Sequence, residues 1–104
     1  MTEQAKLNIT VTELGELLQA GSSSISVIDV RDPEEFEAGH IKGARNVPLT
    51  ELAPLFDHPE STEALVMVCE SGLRSIQAAN FAKIAGLANV QSLEGGMLAW
   101  REIN

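Results

Sequence analysis

Ala64-Leu65-Val66-Met67-Val68 runs straight into Cys69-Glu70-Ser71-Gly72-Leu73-Arg74-Ser75, and this junction decides the fold. The first five residues form the short apolar run of a buried strand, while those after the loop suit a helix. Cys69, the only cysteine of the chain, therefore stands at a strand's C-terminal end. If Ser71, Gly72 and Leu73 curl around its sulfur, their N–H groups join the free N–H groups of a helix starting near Arg74 and form an anion-binding nest. A helix N-terminus carries roughly half a positive charge, and cysteines so placed have pKa values of about 3.5–7.5 rather than about 8.5. Arg74 is expected to add a permanent cation. The competing reading is a buried structural cysteine, since free Cys is among the most buried residue types; the glycine, the arginine and the strand-to-helix setting favour the reactive one.

Outward from this junction, strands alternate with helices. Ile9-Thr10-Val11 is strand-like but short, and Thr12 reads as the N-cap of a helix whose inner face carries Leu14, Leu17 and Leu18 and which ends at Gly21. Gly21 and Ser22-Ser23-Ser24 make a turn. Residues 25–30 form a second strand, and Pro33 opens a helical turn with Asp32 as N-cap. Residues 39–44 have the punctuation of a loop, Arg45-Asn46-Val47 is a brief strand, and Thr50 caps a short helix through Leu55 and Phe56. After a loop at His58-Pro59-Glu60-Ser61 comes the strand that leads to Cys69. From Arg74 to Ala85 the spacing of Ile76, Ala79, Ala82 and Ala85 predicts a helix packed closely on a sheet, with Gly86 at its C-cap. Residues 89–93 are a last strand, and Gly95-Gly96 turns into a final short helix with Met97, Leu98 and Trp100. This alternation implies right-handed crossovers and a parallel sheet covered on both faces, in which ligands bind beyond the carboxyl ends of the strands.

Length and composition fit one globular domain. The 104 residues suffice for a single core, and 44% hydrophobic with 21% charged residues is ordinary for such a chain. A net charge of −8 argues against nucleic acid or an anionic membrane surface as partner. A cleft of backbone donors can still draw in a small anion. One cysteine cannot form an intramolecular disulfide, and the polar start Met1-Thr2-Glu3-Gln4-Ala5-Lys6 lacks the apolar run of a signal peptide, so a cytoplasmic location is expected. No stretch approaches the ~20 apolar residues of a membrane span. Two histidines and one cysteine without close ligand spacing make no metal site, and no cofactor is expected.

Several motifs, in this order, resemble the rhodanese family: Val27-Ile28-Asp29-Val30-Arg31, Glu35-Phe36 with Gly39-His40-Ile41, Gly43-Ala44, Asn46-Val47-Pro48, the cysteine loop, and Leu93-Glu94-Gly95-Gly96 with Trp100. The match spans roughly residues 8–101 and is similar to a stand-alone single-domain member. The resemblance implies a five-stranded parallel sheet flanked by helices on both faces. It also implies a sulfurtransferase in which Cys69 takes a sulfane sulfur from thiosulfate or a persulfide and passes it to cyanide, a small thiol or a protein cysteine. Glu70, Ser71, Gly72, Leu73 and Arg74 would complete the family's six-residue loop. Cysteine phosphatases place five residues between Cys and Arg; here four separate Cys69 from Arg74, and the phosphatase position is Ser75. The family often has a basic or neutral residue after the cysteine. Glu70 departs from this, and two readings stand: its charge offsets that of Arg74 and disfavours thiosulfate, or it points into solvent.

The remaining candidates each carry a structural and a functional reading. Asp29 and Arg31 are two apart and share a strand face, as an acid–base pair or as a structural support. His40 is either a general base or a loop-packing residue, and His58 lies in a solvated turn. Gly95 and Gly96 either let backbone approach the active loop or simply start the last helix. Trp100 is a core or edge aromatic, with substrate stacking as the other reading. With no second cysteine, the sulfur must leave to an external acceptor. The rival functions are a rhodanese-like binding module without turnover and a redox sensor built on an exposed low-pKa thiol.

Overall fold

The computed structural model describes residues 7–21, 24–57 and 63–103. The polar segment 1–6, Ser22 and Ser23 of the expected turn, and the His58-Pro59-Glu60-Ser61 loop lie outside the described residues. Strands Asn8–Ile9 (β1), Ile25–Asp29 (β2), Arg45–Asn46 (β3), Ala64–Val68 (β4) and Val90–Leu93 (β5) form one sheet. Its order is β1-β5-β4-β2-β3, and every neighbouring pair is parallel. Helices Val11–Gln19 (α1), Pro33–Ala38 (α2), Leu73–Ile84 (α3) and Gly96–Ile103 (α4) complete the α/β architecture expected from the sequence.

Strand alternation sorts the core into two layers. Ile28, Met67 and Val90 pack on one face with Ala78, Ala79 and Ala82 of α3. Val27, Val66, Val68 and Leu93 pack on the other with Leu14 of α1 and Met97 of α4. Because both faces are covered, β4 reads as a continuous apolar run, and each fully buried aliphatic side chain contributes about 1.5–3 kcal/mol. From β2 the chain moves outward to β3, whereas from β4 it moves the opposite way to β5. The carboxyl ends of β2 and β4 therefore flank a topological switch point, the place where open parallel sheets bind ligands. Asp29 and Val68 are register partners there, two residues before Arg31 and one before Cys69.

Local boundaries differ from the sequence reading for identifiable reasons. The first helix is capped by Thr10 rather than Thr12: the Thr10 N–H donates to Glu13 Oε1 at 2.9 Å, and the Glu13 N–H donates to Thr10 Oγ1 at 3.1 Å. This capping box overrides the strand preference of Val11, so β1 is only Asn8–Ile9. Thr50 caps nothing; it lies inside a 3-10 turn, Leu49–Glu51, entered from Pro48, and Leu55 and Phe56 follow in a second, Ala53–Asp57. The inner stripe of α3 is Ser75, Ala78, Ala79 and Ala82, with Ile76 half-buried and Ala85 exposed at the C-cap, because the helix is oriented by Ser75 turning in toward Cys69. Gly86 follows that cap with φ +106°. No helix among the described residues is long and apolar enough to cross a membrane.

Candidate active site

Cys69 is the first residue beyond β4, and its sulfur is the centre of a ring of donors. The Gly72 N–H donates to Sγ at 3.1 Å and the Ser75 N–H at 3.3 Å, while the thiol itself donates to the Ser75 hydroxyl at 3.5 Å. That hydroxyl is in turn held at 2.7 Å from Ser92 Oγ on β5 and donates to the Gly72 carbonyl at 3.2 Å. Burial is the largest single influence on the thiol and pushes its pKa up; the Ser75 hydroxyl and the Ser75, Gly72 and Ser71 N–H groups together outweigh it and hold the thiol below its ordinary value. The Leu73 N–H, expected to face the sulfur, points instead to Ser71 Oγ at 3.5 Å, and the Leu73 side chain is exposed. Gly72 explains this: at φ +97° it turns the chain, so that Ser75, in the first turn of α3, is the helix residue whose N–H reaches Sγ. Cys69 is fully buried, at 0% exposure, where the redox-sensor reading took an exposed thiol, and the same burial screens Sγ from a sulfur donor as much as from an oxidant.

Removing the Ser75 hydroxyl isolates its effect on the sulfur. In Ser75→Ala the half-point of a pH–alkylation curve is expected to move upward, and the alkylation rate at neutral pH to fall about fivefold, since a hydrogen bond of this kind is worth about 1 kcal/mol. A curve that superimposes on the wild type would remove Ser75 from the set of groups that hold the thiolate.

The arginines are arranged differently from the sequence reading. Arg74, expected beside the thiolate, occupies the outer side of the first turn of α3 and reaches Glu35 at 3.8 Å with its side chain 41% exposed. Glu70, expected to offset Arg74, is bound on two other sides. Arg101 of α4 grips it with Nη1 at 2.6 Å from Oε2 and Nη2 at 3.2 Å from Oε1, and Arg31 Nη1 lies 3.3 Å from Oε1. Hydrogen bonding to Arg101 is the main reason the Glu70 carboxyl is held below its usual range, with the Arg101 and Arg31 charges adding to it against partial burial. Arg31 is only 1% exposed, and beyond β2 it folds back on Asp29: Nε is 3.0 Å from Oδ1, Nη2 is 2.9 Å from Oδ2, and Nη2 also donates to the Gly39 carbonyl at 2.8 Å. Asn46 ties the same turn through the Asp29 and Arg31 carbonyls, at 2.9 and 3.0 Å. Asp29 and Arg31 are thus a buried buttress that touches the cysteine loop through Glu70, not an acid–base pair facing the sulfur.

Gly96 serves both roles considered for the pair. Gly96 starts α4, and its bare Cα lets the helix approach the loop: the Met97 N–H donates to the Cys69 carbonyl at 2.9 Å and the Leu98 N–H to the Glu70 carbonyl at 3.0 Å. A Cβ at Gly96 would overlap the Cys69 carbonyl oxygen and fall 2.6 Å from that of Glu70, at a φ of +58°. One at Gly95 would fall 2.6 Å from Ala99 Cβ. Gly96→Ala is expected to cost about 2–3 kcal/mol through left-handed strain and overpacking, and to raise the Cys69 pKa by displacing the loop. Thermal melting and the alkylation curve measured together check both effects; an unshifted melting point would show that the backbone yields without cost.

His40 packs its ring on Phe36, centroids 3.7 Å apart, and its Nδ1 lies 2.7 Å from the Phe36 carbonyl oxygen. Trp100 is half-buried and packs against the core layer that holds Leu14 and Met97. His58 lies outside the described residues. Two participants escaped the sequence reading. Ser92 is a small buried polar residue within an apolar strand, a pattern that could have marked it. Arg101 lies on a helix surface and carries no local signal.

Comparison with known proteins agrees with this architecture. The family model described as "Rhodanese-like domain" matches residues 10–103. The chain is 35% identical over 97 residues to the thiosulfate sulfurtransferase GlpE of Shewanella oneidensis, covering 93% of this chain and 94% of that one. It is 36% identical over 97 residues to the uncharacterized protein YqhL of Bacillus subtilis, covering 93% and 75%. The human single-domain sulfurtransferase TSTD1 superimposes with a TM-score of 0.83 at 27% identity, covering 96% of this chain and 99% of that one. With the family pattern running through nearly every element described above, from the cap of α1 to the last turn of α4, the chain belongs to the rhodanese-like family.

Proposed function

We propose that the protein is a sulfurtransferase whose Cys69 alternates between thiolate and persulfide. The observation that carries this reading is the pair of backbone donors on Sγ, the Gly72 and Ser75 N–H groups at 3.1 and 3.3 Å, beside the Ser75 hydroxyl that accepts from the thiol at 3.5 Å. Such donors stabilise a sulfur anion without a proton, which is what the cycle needs twice, first as thiolate and then as persulfide. In the loading step the thiolate attacks the outer sulfur of thiosulfate or of an organic persulfide. One S–S bond forms and one breaks, releasing sulfite or a thiolate and leaving Cys69–S–S⁻. In the unloading step cyanide or a thiolate attacks the terminal sulfur, leaves as thiocyanate or a new persulfide, and regenerates the thiolate. Charge balances in both steps without proton transfer. With Cys69 the sole cysteine, the acceptor is external, a small thiol or a partner protein's cysteine. A reducing compartment such as the cytoplasm suits a thiol that must be regenerated.

Intact mass spectrometry of the reduced protein after exposure to each donor tests this directly. The expected result is a gain of one sulfur atom per chain that cyanide discharges. If neither donor adds mass to the folded protein, the sulfurtransferase reading is overturned and the non-catalytic binding module replaces it.

A further inference from the structure

The residue next to the nucleophile is an anion, and it is held by two arginines, one buried and one open to solvent. Glu70 takes both Nη groups of Arg101, at 2.6 and 3.2 Å, and also meets Nη1 of the buried Arg31 at 3.3 Å. Arg31 is already committed to Asp29, and Arg74 turns to Glu35 at 3.8 Å. Each of these arginines is paired with a carboxylate, so the cysteine loop offers a small anion its backbone N–H groups but no uncompensated guanidinium from among them. The Glu70–Arg101 pair is reachable from solvent, with the two side chains 33% and 49% exposed. Its low carboxyl pKa keeps the Glu70 charge in place throughout the neutral range.

We propose that Glu70 is a specificity-determining residue: its carboxylate fills the fork of Arg101 that a donor's sulfonate would use, and so selects monoanionic organic persulfides over dianionic thiosulfate. This deepens the sulfurtransferase reading and rests on it. The selection follows from Coulomb's law, because the interaction with a fixed charge scales with the charge of the ligand. A charge change that alters loading by a monoanion about threefold alters loading by a dianion about tenfold, the square of that factor. Both donors deliver the same sulfur to the same thiolate. They differ in what leaves, sulfite from one and an alkyl thiolate from the other, and in net charge.

The test compares second-order rates of Cys69 loading, read by quenched intact mass spectrometry, for thiosulfate and for the persulfide of N-acetylcysteine methyl ester. Glu70→Gln keeps the shape of the side chain and frees Arg101; the thiosulfate rate is expected to rise about tenfold and the persulfide rate about threefold. Arg101→Gln removes the cation and unmasks Glu70, so both rates should fall, thiosulfate the more steeply, and the donor ratio should move the opposite way. High salt should shrink both differences. A pair that only supports the loop would change both donors by the same factor in both variants. Equal factors, or a ratio that moves the same way in the two variants, overturn the proposal while leaving sulfur transfer intact. Failure of wild-type Cys69 to load from either donor overturns the sulfurtransferase reading and this one together.

Discussion

Cys69→Ser is expected to abolish sulfur loading and lower turnover by at least about 10⁴-fold, with the fold intact. A serine hydroxyl stays protonated at neutral pH and is a poor nucleophile toward sulfur, and removing a covalent nucleophile costs rate on this scale. The Gly72 and Ser75 N–H groups that now meet Sγ at 3.1 and 3.3 Å have an oxygen to meet instead, so the loop keeps an acceptor at its centre. The exchange of one small buried side chain for another should change stability by about 1 kcal/mol. Thiocyanate production measured beside a denaturation curve separates the two effects. Appreciable residual turnover by a well-folded Cys69→Ser protein would mean that the thiol is structural and that sulfur moves by another route.

The largest effect on stability is expected at Arg31. In Arg31→Met the buried carboxylate of Asp29, 1% exposed, loses the Nε and Nη2 contacts at 3.0 and 2.9 Å and keeps the Arg31 main-chain N–H at 3.1 Å. Breaking a buried pair from one side costs about 3–5 kcal/mol, because an uncompensated charge stays behind. Domains of this size are stable by only about 5–15 kcal/mol, so the midpoint should fall by roughly 12 °C or more, and Glu70 loses one of its two arginines as well. Asp29→Asn combined with Arg31→Met should be less destabilised than the two single changes added together, since the charge that remains in one is absent from the other. Additive losses would mean that Arg31 acts through the packing of its stem rather than through Asp29. Urea denaturation of the four proteins decides between them.

The architecture was legible because its signals are local. An apolar run such as Ala64–Val68 and a turn through Gly72 into a helix are written in consecutive residues, and so was the position of Cys69 between them. Boundaries were less so where two local preferences compete: Val11 favours a strand, but Glu13 reaches back to Thr10 and sets the cap two residues ahead of Thr12. The electrostatics of the loop were the least legible. Arg74 is close to Cys69 in sequence yet points to Glu35, whereas Arg101, 31 positions from Glu70, is the residue that holds it. Which face of a helix a charge occupies depends on how the helix is rotated against the sheet. Here Ser75 fixes that rotation by turning inward, and an alanine-rich sequence, able to pack on either side, does not announce it.

The seating of α4 on the carbonyls of Cys69 and Glu70 makes acidity of the sulfur a collective property. One peptide plane serves both: the Glu70 carbonyl that accepts from Leu98 belongs to the same peptide as the Ser71 N–H that helps hold the sulfur. Were α4 to open, the Ser71 N–H would lose its fixed aim and the thiol part of what lowers its pKa, and under the sulfurtransferase proposal such a chain would take up sulfur more slowly. Under that proposal, reactivity is tied to the seating of the last helix.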